Sequence, residues 1–425
     1  MKDILFGILG LVVLIAIAFL FSNNKKKIKW IQVGLGIALQ LLFAMFVILT
    51  PWGAIVFNAI GNFFVKIISF TNEGSKFVFG GLAEQNNFGF IFAFQILPTI
   101  IFFSSLMSVL YHLGLMQKIV QGMAWVMARL LKISGAESIS VAANVFIGQT
   151  EAPLVVRPYV ESMTKSELLT LMIGGMATIA GGVLAAYVGL LGGNDPAQQL
   201  LYAKHLLSAS IMAAPATIAI AKILVPETEK SLTMGEVKVP IEKTSANVIE
   251  AAATGAADGL KLALNVAGML LAFIALIAMA NWIIEGVATE LMGITTLSGD
   301  PITLELILGY ILSPIAWIIG VPWHDAVQVG SLIGQKIVLN EFIAYLKLSQ
   351  LITAGVLGEK AIIISTYALC GFANFSSIAI QIGGIGGIAP NRRSDLARFG
   401  LRAVLGGSLA TFMTATIAGV LTSFL

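Results

Sequence analysis

The sequence predicts an all-α polytopic membrane protein with eight transmembrane helices, two opposed re-entrant hairpins, inverted repeats and helices broken at the midplane. Three observations carry the class. Hydrophobic residues make up 58% of the 425 and charged residues 11%, against roughly 25% charged in soluble domains; mean hydropathy is +0.93. Glycine is abundant at 43 and proline modest at 12, which suits packed, interrupted helices better than the period-two strands of a membrane barrel. The stretch IGQTEAPLV, Ile147 to Val155, sets Gln149, Thr150 and Glu151 beside a proline inside an apolar region.

The same composition excludes several functions. A single cysteine, Cys370, and three scattered histidines, His112, His205 and His324, allow no disulfide framework and no zinc or haem set. Net charge is +3 without a basic block, so no nucleic-acid partner is expected.

A span needs about 20 apolar residues to cross roughly 30 Å of hydrocarbon, and this places spans near 4–22, 31–50, 91–111, 165–193, 199–224, 257–284, 360–388 and 396–425. The first run is followed by Lys25, Lys26, Lys27 and Lys29, with no small-residue cleavage site, so it reads as a retained span with its N-terminus outside. Between the second and third spans, Asn58, Asn62, Lys66 and Ser69 share one helical face of residues 53–70, the pattern of an interfacial helix lying on the bilayer. These elements form a first unit, 1–111. A first hairpin repeat covers 112–225, with a hairpin over about 137–161 and the spans 165–193 and 199–224.

A polar cytoplasmic connector, 226–256, contains ETEKSLTMGEVKVPIEKTS. It is followed by the sixth span with an outer interfacial segment, 257–322. The second hairpin repeat, 323–425, holds a hairpin over about 323–355 and the last two spans. With both termini outside, eighteen of the 25 Lys and Arg fall on the cytoplasmic side. The other seven (Lys2, Lys66, Lys76, Lys204, Lys336, Lys347, Lys360) fall outside, as the positive-inside rule requires. Each half carries a span, an amphipathic stretch, an IGQ (Ile147 to Gln149, Ile333 to Gln335) with a glutamate beyond it, and two further spans. An odd number of crossings between them would invert one half relative to the other, a plan common in secondary transporters.

The hairpins follow from length. Around GQTEAP the apolar arms run for about 12 and 9 residues and reach only some 14–18 Å at 1.5 Å per residue, so neither crosses. Pro153 suits the first turn of the second arm. In the second repeat the arms Trp323 to Val338 and Phe342 to Leu351 meet at Leu339, Asn340 and Glu341. Within span 360–388, CGFANFSSIAI sets Asn374, Ser376 and Ser377 between phenylalanines, which favours an unwound segment lining a cavity. In span 165–193, GGMATIAGGV sets four glycines around Thr178, and taken alone reads as a packing device. Collected at midplane these are carboxylates, amides, hydroxyls and the ring of Phe372, with no Lys or Arg among them. That set suits a neutral, hydroxyl-rich solute with a flat ring. An intramembrane enzyme could use the glutamates as acid and base, but no nucleophile paired with a base is visible. A channel would more often be lined by a ring of subunits.

GQTEAP, VLNEF, CGFANFSS and NEGSKFVFG (Asn72 to Gly80), in this order along essentially the whole chain, resemble the concentrative nucleoside transporters. The resemblance implies a sodium-coupled importer of nucleosides such as uridine, multi-pass in the cytoplasmic membrane and homotrimeric, with no enzymatic cofactor. It implies nucleobase contacts at Gln149, Thr150, Glu151, Val183 and Phe372, and ribose contacts at Glu341, Asn374 and Ser377. Sodium would be held by Asn144, Ile147, Thr178 and Ile179, the two isoleucines through their carbonyls. Some bacterial members are similar but proton-coupled, and their hairpin tip departs from the GQTEAP kept here, which favours sodium.

Overall fold

Backbone amides inside a bilayer find no water, so apolar runs must close their hydrogen bonds within helices. The computed structural model describes residues 2–84, 89–235, 245–291, 293 and 301–424; it is helical apart from connecting turns, with no strand among the described residues. Among those residues eight helices are long and apolar enough to cross a membrane. The number equals the sequence expectation, but the membership differs. Pro51–Ala83 joins the set, and 360–388 leaves it because it is split into two shorter helices.

The first helices are α1 (Lys2–Leu20), α2 (Trp30–Leu49) and α3 (Pro51–Phe79). The stretch expected as an interfacial helix over 53–70 is thus one longer helix that absorbs most of NEGSKFVFG. Thr50 caps its start by accepting from Gly53 N, Pro51 occupies its first turn, and Gly80, at φ 56, ends it in a conformation that favours glycine. A short turn, Phe92–Gln95, leads into α4 (Leu97–His112), and α5 (Leu115–Leu131) follows.

Then follow α6 (Gly135–Asn144), two single-turn helices at Ala152–Val155 and Arg157–Val160, α7 (Lys165–Ala177), α8 (Gly181–Gly192) and α9 (Pro196–Leu224). Next comes α10 (Val248–Ile284), which begins inside the segment expected as connector. Asn247 caps it by accepting from Glu250 N, and the Ala-rich run behind that cap propagates the helix. The expected connector residues 236–244 lie outside the described residues. After α10 come α11 (Leu304–Ile318), α12 (Ala326–Val338), α13 (Glu341–Thr353), α14 (Glu359–Ala368), α15 (Phe375–Ile388) and α16 (Arg393–Leu421).

Burial sorts these helices into two layers. In their most apolar windows the helices containing α7–α8, α9 and α16 are 83–89% buried, whereas α1 to α4 and α10 are only 22–28% buried. The outer helices turn large apolar side chains outward, Ile31, Phe77, Ile249 and Leu271 among them, as lipid-facing surfaces do. Glycines allow the closest crossings. A Cβ at Gly255 would lie 2.7 Å from Ser104 O and one at Gly259 2.7 Å from the Ile101 Cα, so this GxxxG pair seats α10 directly on the backbone of α4.

Two lysines counted above, Lys222 as cytoplasmic and Lys336 as outer, are interior. Lys222 and Lys336 are both buried, Lys222 on α9 beside Glu137 and Lys336 on α12. Neither belongs in a count of loop charges. A charge paid for by a buried partner is invisible to hydropathy, because the partner comes from another helix.

Candidate functional site

Local chemistry shapes four interruptions. In the first hairpin, Ser134 and Glu137 form a capping box that starts α6. The helix stops at Asn144, four residues earlier than the arm read from the sequence, and the chain turns through 145–151. The second arm is not one helix: Pro153 and Pro158 each open a separate turn. In the second hairpin only Leu339 and Asn340 separate α12 from α13, and Asn340 caps α13 by accepting from Ile343 N at 2.9 Å.

The span read over 165–193 is broken. Thr178 (ψ 170) and Ala180 (ψ 146) are extended between α7 and α8. The glycines around Thr178 therefore do more than pack. Gly175 does pack tightly, since a Cβ there would lie 2.8 Å from the Gln149 Cβ, but the stretch also opens the helix. The span read over 360–388 is interrupted between Ala368 and Phe375, as CGFANFSS suggested, and Asn374 caps α15 by accepting from Ser377 N at 2.9 Å.

One hydrogen-bonded chain joins the two hairpin turns and the second break to α8. Gln149 Nε2 donates to Ser377 Oγ at 2.9 Å, Ser377 N donates to Asn374 Oδ1, and Asn374 Nδ2 donates to Glu341 Oε2 at 3.0 Å. Tyr187 OH, on α8, donates to Glu341 Oε1 at 2.9 Å. Gln149, Glu341, Asn374 and Ser377 are all buried. Each Glu341 oxygen still has a lone pair for a further donor. Of the remaining residues read as nucleobase contacts, Val183 is buried in the first turn of α8, while Phe372 and Thr150 are half-buried. Thr150 lies beside Gly384 on α15. Glu151 is exposed, its carboxylate folded back towards Gly148.

A second cluster lies where α6 meets the break after α7. Asn144 Nδ2 donates to Ser140 O at 2.9 Å, and its buried Oδ1 has no partner. Thr178 Oγ1 donates to Gly174 O at 2.9 Å, which leaves its lone pairs available, and Asn144 lies directly against Gly174. Gly181 N donates to Phe146 O at 3.0 Å and ties the hairpin turn to the break. Ile147 and Ile179 sit in the two non-helical stretches that this bond joins. An orphaned amide oxygen, a hydroxyl and non-helical carbonyls are the ligands a hard monovalent cation takes.

Sequence reasoning missed four participants. Tyr187 orients Glu341 while its ring stacks on Tyr345 with centroids 4.2 Å apart. Gln381 holds Gln149 Oε1 at 3.1 Å and Met172 O at 2.9 Å. Lys222 joins Glu137 and Ser166, and Thr170 donates to the same Glu137 oxygen, which anchors the base of the first hairpin to α7 and α9. Lys336 donates to Ala368 O at 2.8 Å and to Thr411 Oγ1 at 3.0 Å, at the edge of the second break. The expectation that no lysine accompanies the polar cluster is therefore corrected. A glutamine or tyrosine on an apolar helix carried the only sequence signal of these roles, and that signal is shared with many packing residues.

Three family profiles match successive parts of the chain. Na+ dependent nucleoside transporter N-terminus matches 9–82, nucleoside recognition matches 93–194, and Na+ dependent nucleoside transporter C-terminus matches 205–419. The chain belongs to the sodium-dependent, concentrative nucleoside transporters. The family consists of transporters, not enzymes. The uncharacterized transporter YutK of Bacillus subtilis is 47% identical over 98% of this chain and 99% of its own. Sodium/nucleoside cotransporter 1 of Rattus norvegicus is 42% identical over 97% of this chain and 63% of its own. Among solved structures, CNTnw in an inward-facing substrate-bound state superposes with a TM-score of 0.91 at 44% identity, covering 99% of this chain and 98% of that one. An outward-facing variant of CNTnw superposes equally well, with a TM-score of 0.91 at 43% identity. Its coverage is 100% of this chain and 99% of that one.

Proposed function

We propose that this transporter imports nucleosides, uridine among them, across the cytoplasmic membrane by sodium symport. The observation that carries the reading is the chain from Gln149 through Ser377, Asn374 and Glu341 to Tyr187, because it joins both hairpin turns to α15 and α8, the second halves of the two broken helices, around one polar centre. The ribose hydroxyls donate to Glu341 and engage Asn374 and Ser377. The base meets Gln149, Thr150 and Glu151, with Val183 and Phe372 as apolar walls. Sodium is taken by Asn144 Oδ1, Thr178 Oγ1 and the carbonyls of Ile147 and Ile179, whose surroundings lie one turn from Gln149. Ordering of the first hairpin by the cation raises nucleoside affinity, and that difference between states is the coupling.

Both hairpins are re-entrant, the two repeats are inverted, and the termini lie outside. The inner layer moves as a unit past a scaffold of the outer helices, with α3 lying along the interface, and three copies assemble. The test uses proteoliposomes loaded with potassium and given radiolabelled uridine with or without an inward sodium gradient. Accumulation above equilibrium only with the gradient is expected. Accumulation driven by a proton gradient instead would make the coupling ion a proton, and equilibration independent of either gradient would make the protein a channel.

A further inference from the structure

The two hairpins present different chemistry to equivalent places. In the first repeat, Asn144 ends the first hairpin arm and lies against Gly174, in the last turn of α7 before the break, with its Oδ1 unpartnered. In the second repeat, Lys336 lies in the last turn of the first hairpin arm, and its Nζ bonds Ala368 O, the last residue of α14 before the break. Both side chains thus meet the C-terminal end of the first half of a broken helix. Such an end has unsatisfied carbonyls and the negative pole of the helix dipole, and it favours a cation. At the first end an uncharged amide and hydroxyl leave the charge to be supplied from solution. At the second, the cation is covalently attached.

We propose that the Lys336 ammonium is the fixed cation of the second repeat, standing where the first repeat takes sodium. The side chain is fully buried; Nζ bonds Ala368 O and Thr411 Oγ1, and the Phe412 ring lies 5.8 Å away. Thr411 passes its own hydrogen to Ser408 O at 2.9 Å, so its oxygen is held ready to accept. Across the break from Ala368, Asn374 holds Glu341 Oε2 at 3.0 Å, so the ammonium that fixes the end of α14 also steadies the segment that orients Glu341, whether the carrier is loaded or empty. Sodium acts on the first hairpin alone. Lys336 is a positioning residue: it works through Glu341 and the end of α14.

The inference rests on the sodium-symport reading, and two substitutions separate the two. Lys336→Met fills the volume without the charge. Its nucleoside half-saturation should rise about tenfold or more, the loss of a charge-assisted partner, while sodium half-saturation and slope stay as in wild type. Lys336→Ala leaves a space beside the Ala368 carbonyl and Thr411 Oγ1, oxygens of the kind an alkali cation takes. High sodium should restore its uptake, with the slope of the sodium dependence raised by about one. Both are measured as sodium-dependent uridine uptake in proteoliposomes. A Met variant with wild-type nucleoside half-saturation overturns the inference, as does an Ala variant whose loss no sodium concentration relieves. If wild-type protein shows no sodium-driven uptake, the symport reading fails instead.

Discussion

Replacing Glu341 by glutamine changes one atom of a buried carboxylate that receives two donors. Tyr187 OH and Asn374 Nδ2 now each occupy one oxygen, at 2.9 and 3.0 Å. In Glu341→Gln the amide NH2 can face Tyr187 OH, which turns to accept, while the amide oxygen keeps Asn374 Nδ2. A ribose hydroxyl, however, loses a charged acceptor at about 1.5–3 kcal/mol. That cost falls on binding, so nucleoside half-saturation should rise roughly 10- to 150-fold. The assay is uridine uptake in proteoliposomes at saturating sodium, alongside 2′,3′-dideoxyuridine. Wild type should favour uridine strongly, and the variant should treat the two nearly alike. If Glu341→Gln kept the preference at wild-type affinity, the carboxylate would not hold the ribose.

Further outcomes follow from other contacts. Tyr187→Phe keeps the stack on Tyr345 and removes the bond to Glu341; uridine half-saturation should rise by about tenfold with sodium half-saturation unchanged. Thr178→Val removes one oxygen beside the orphaned Asn144 Oδ1 and should raise the sodium needed for half-maximal uptake; an unchanged sodium dependence would move the cation elsewhere. Glu137→Gln removes the nearer of the two carboxylates beside the buried Lys222, leaving Glu227 at 3.8 Å, and should lower stability by up to about 3–5 kcal/mol, read as an earlier thermal unfolding transition in detergent. The pair Glu137→Leu with Lys222→Met should recover much of that loss. Gly259→Leu drives a side chain into the α4 backbone and should cost about 1–3 kcal/mol or more, seen in the same transition.

Much of the architecture was legible because the bilayer imposes length. Short apolar runs marked where the chain turns, and the turn at Leu339 and Asn340 falls where the two arms were expected to meet. Asn374 announced the second break by its polarity. The break at Thr178 was harder to read, because glycines that pack and glycines that open a helix look alike in sequence. The start of α10 was misread because a polar, Ala-rich turn projects beyond the apolar run. Lys336 and Lys222 were misplaced for a shared reason: their partners stand 75 residues away at Thr411 and 85 away at Glu137.

The sequence by itself determined the membrane class, the positions of the polar interruptions and the residues of the two hairpin tips. Hydrophobicity, span length and proline chemistry are local quantities, and they act wherever the chain lies. Only the tertiary structure decided that Gln149, Ser377, Asn374, Glu341 and Tyr187 form one hydrogen-bonded chain, and that a lysine stands at the second broken helix. The physical reason is that a buried polar group is stable only with its partner, and here the partners are supplied by helices distant in the chain and adjacent in space.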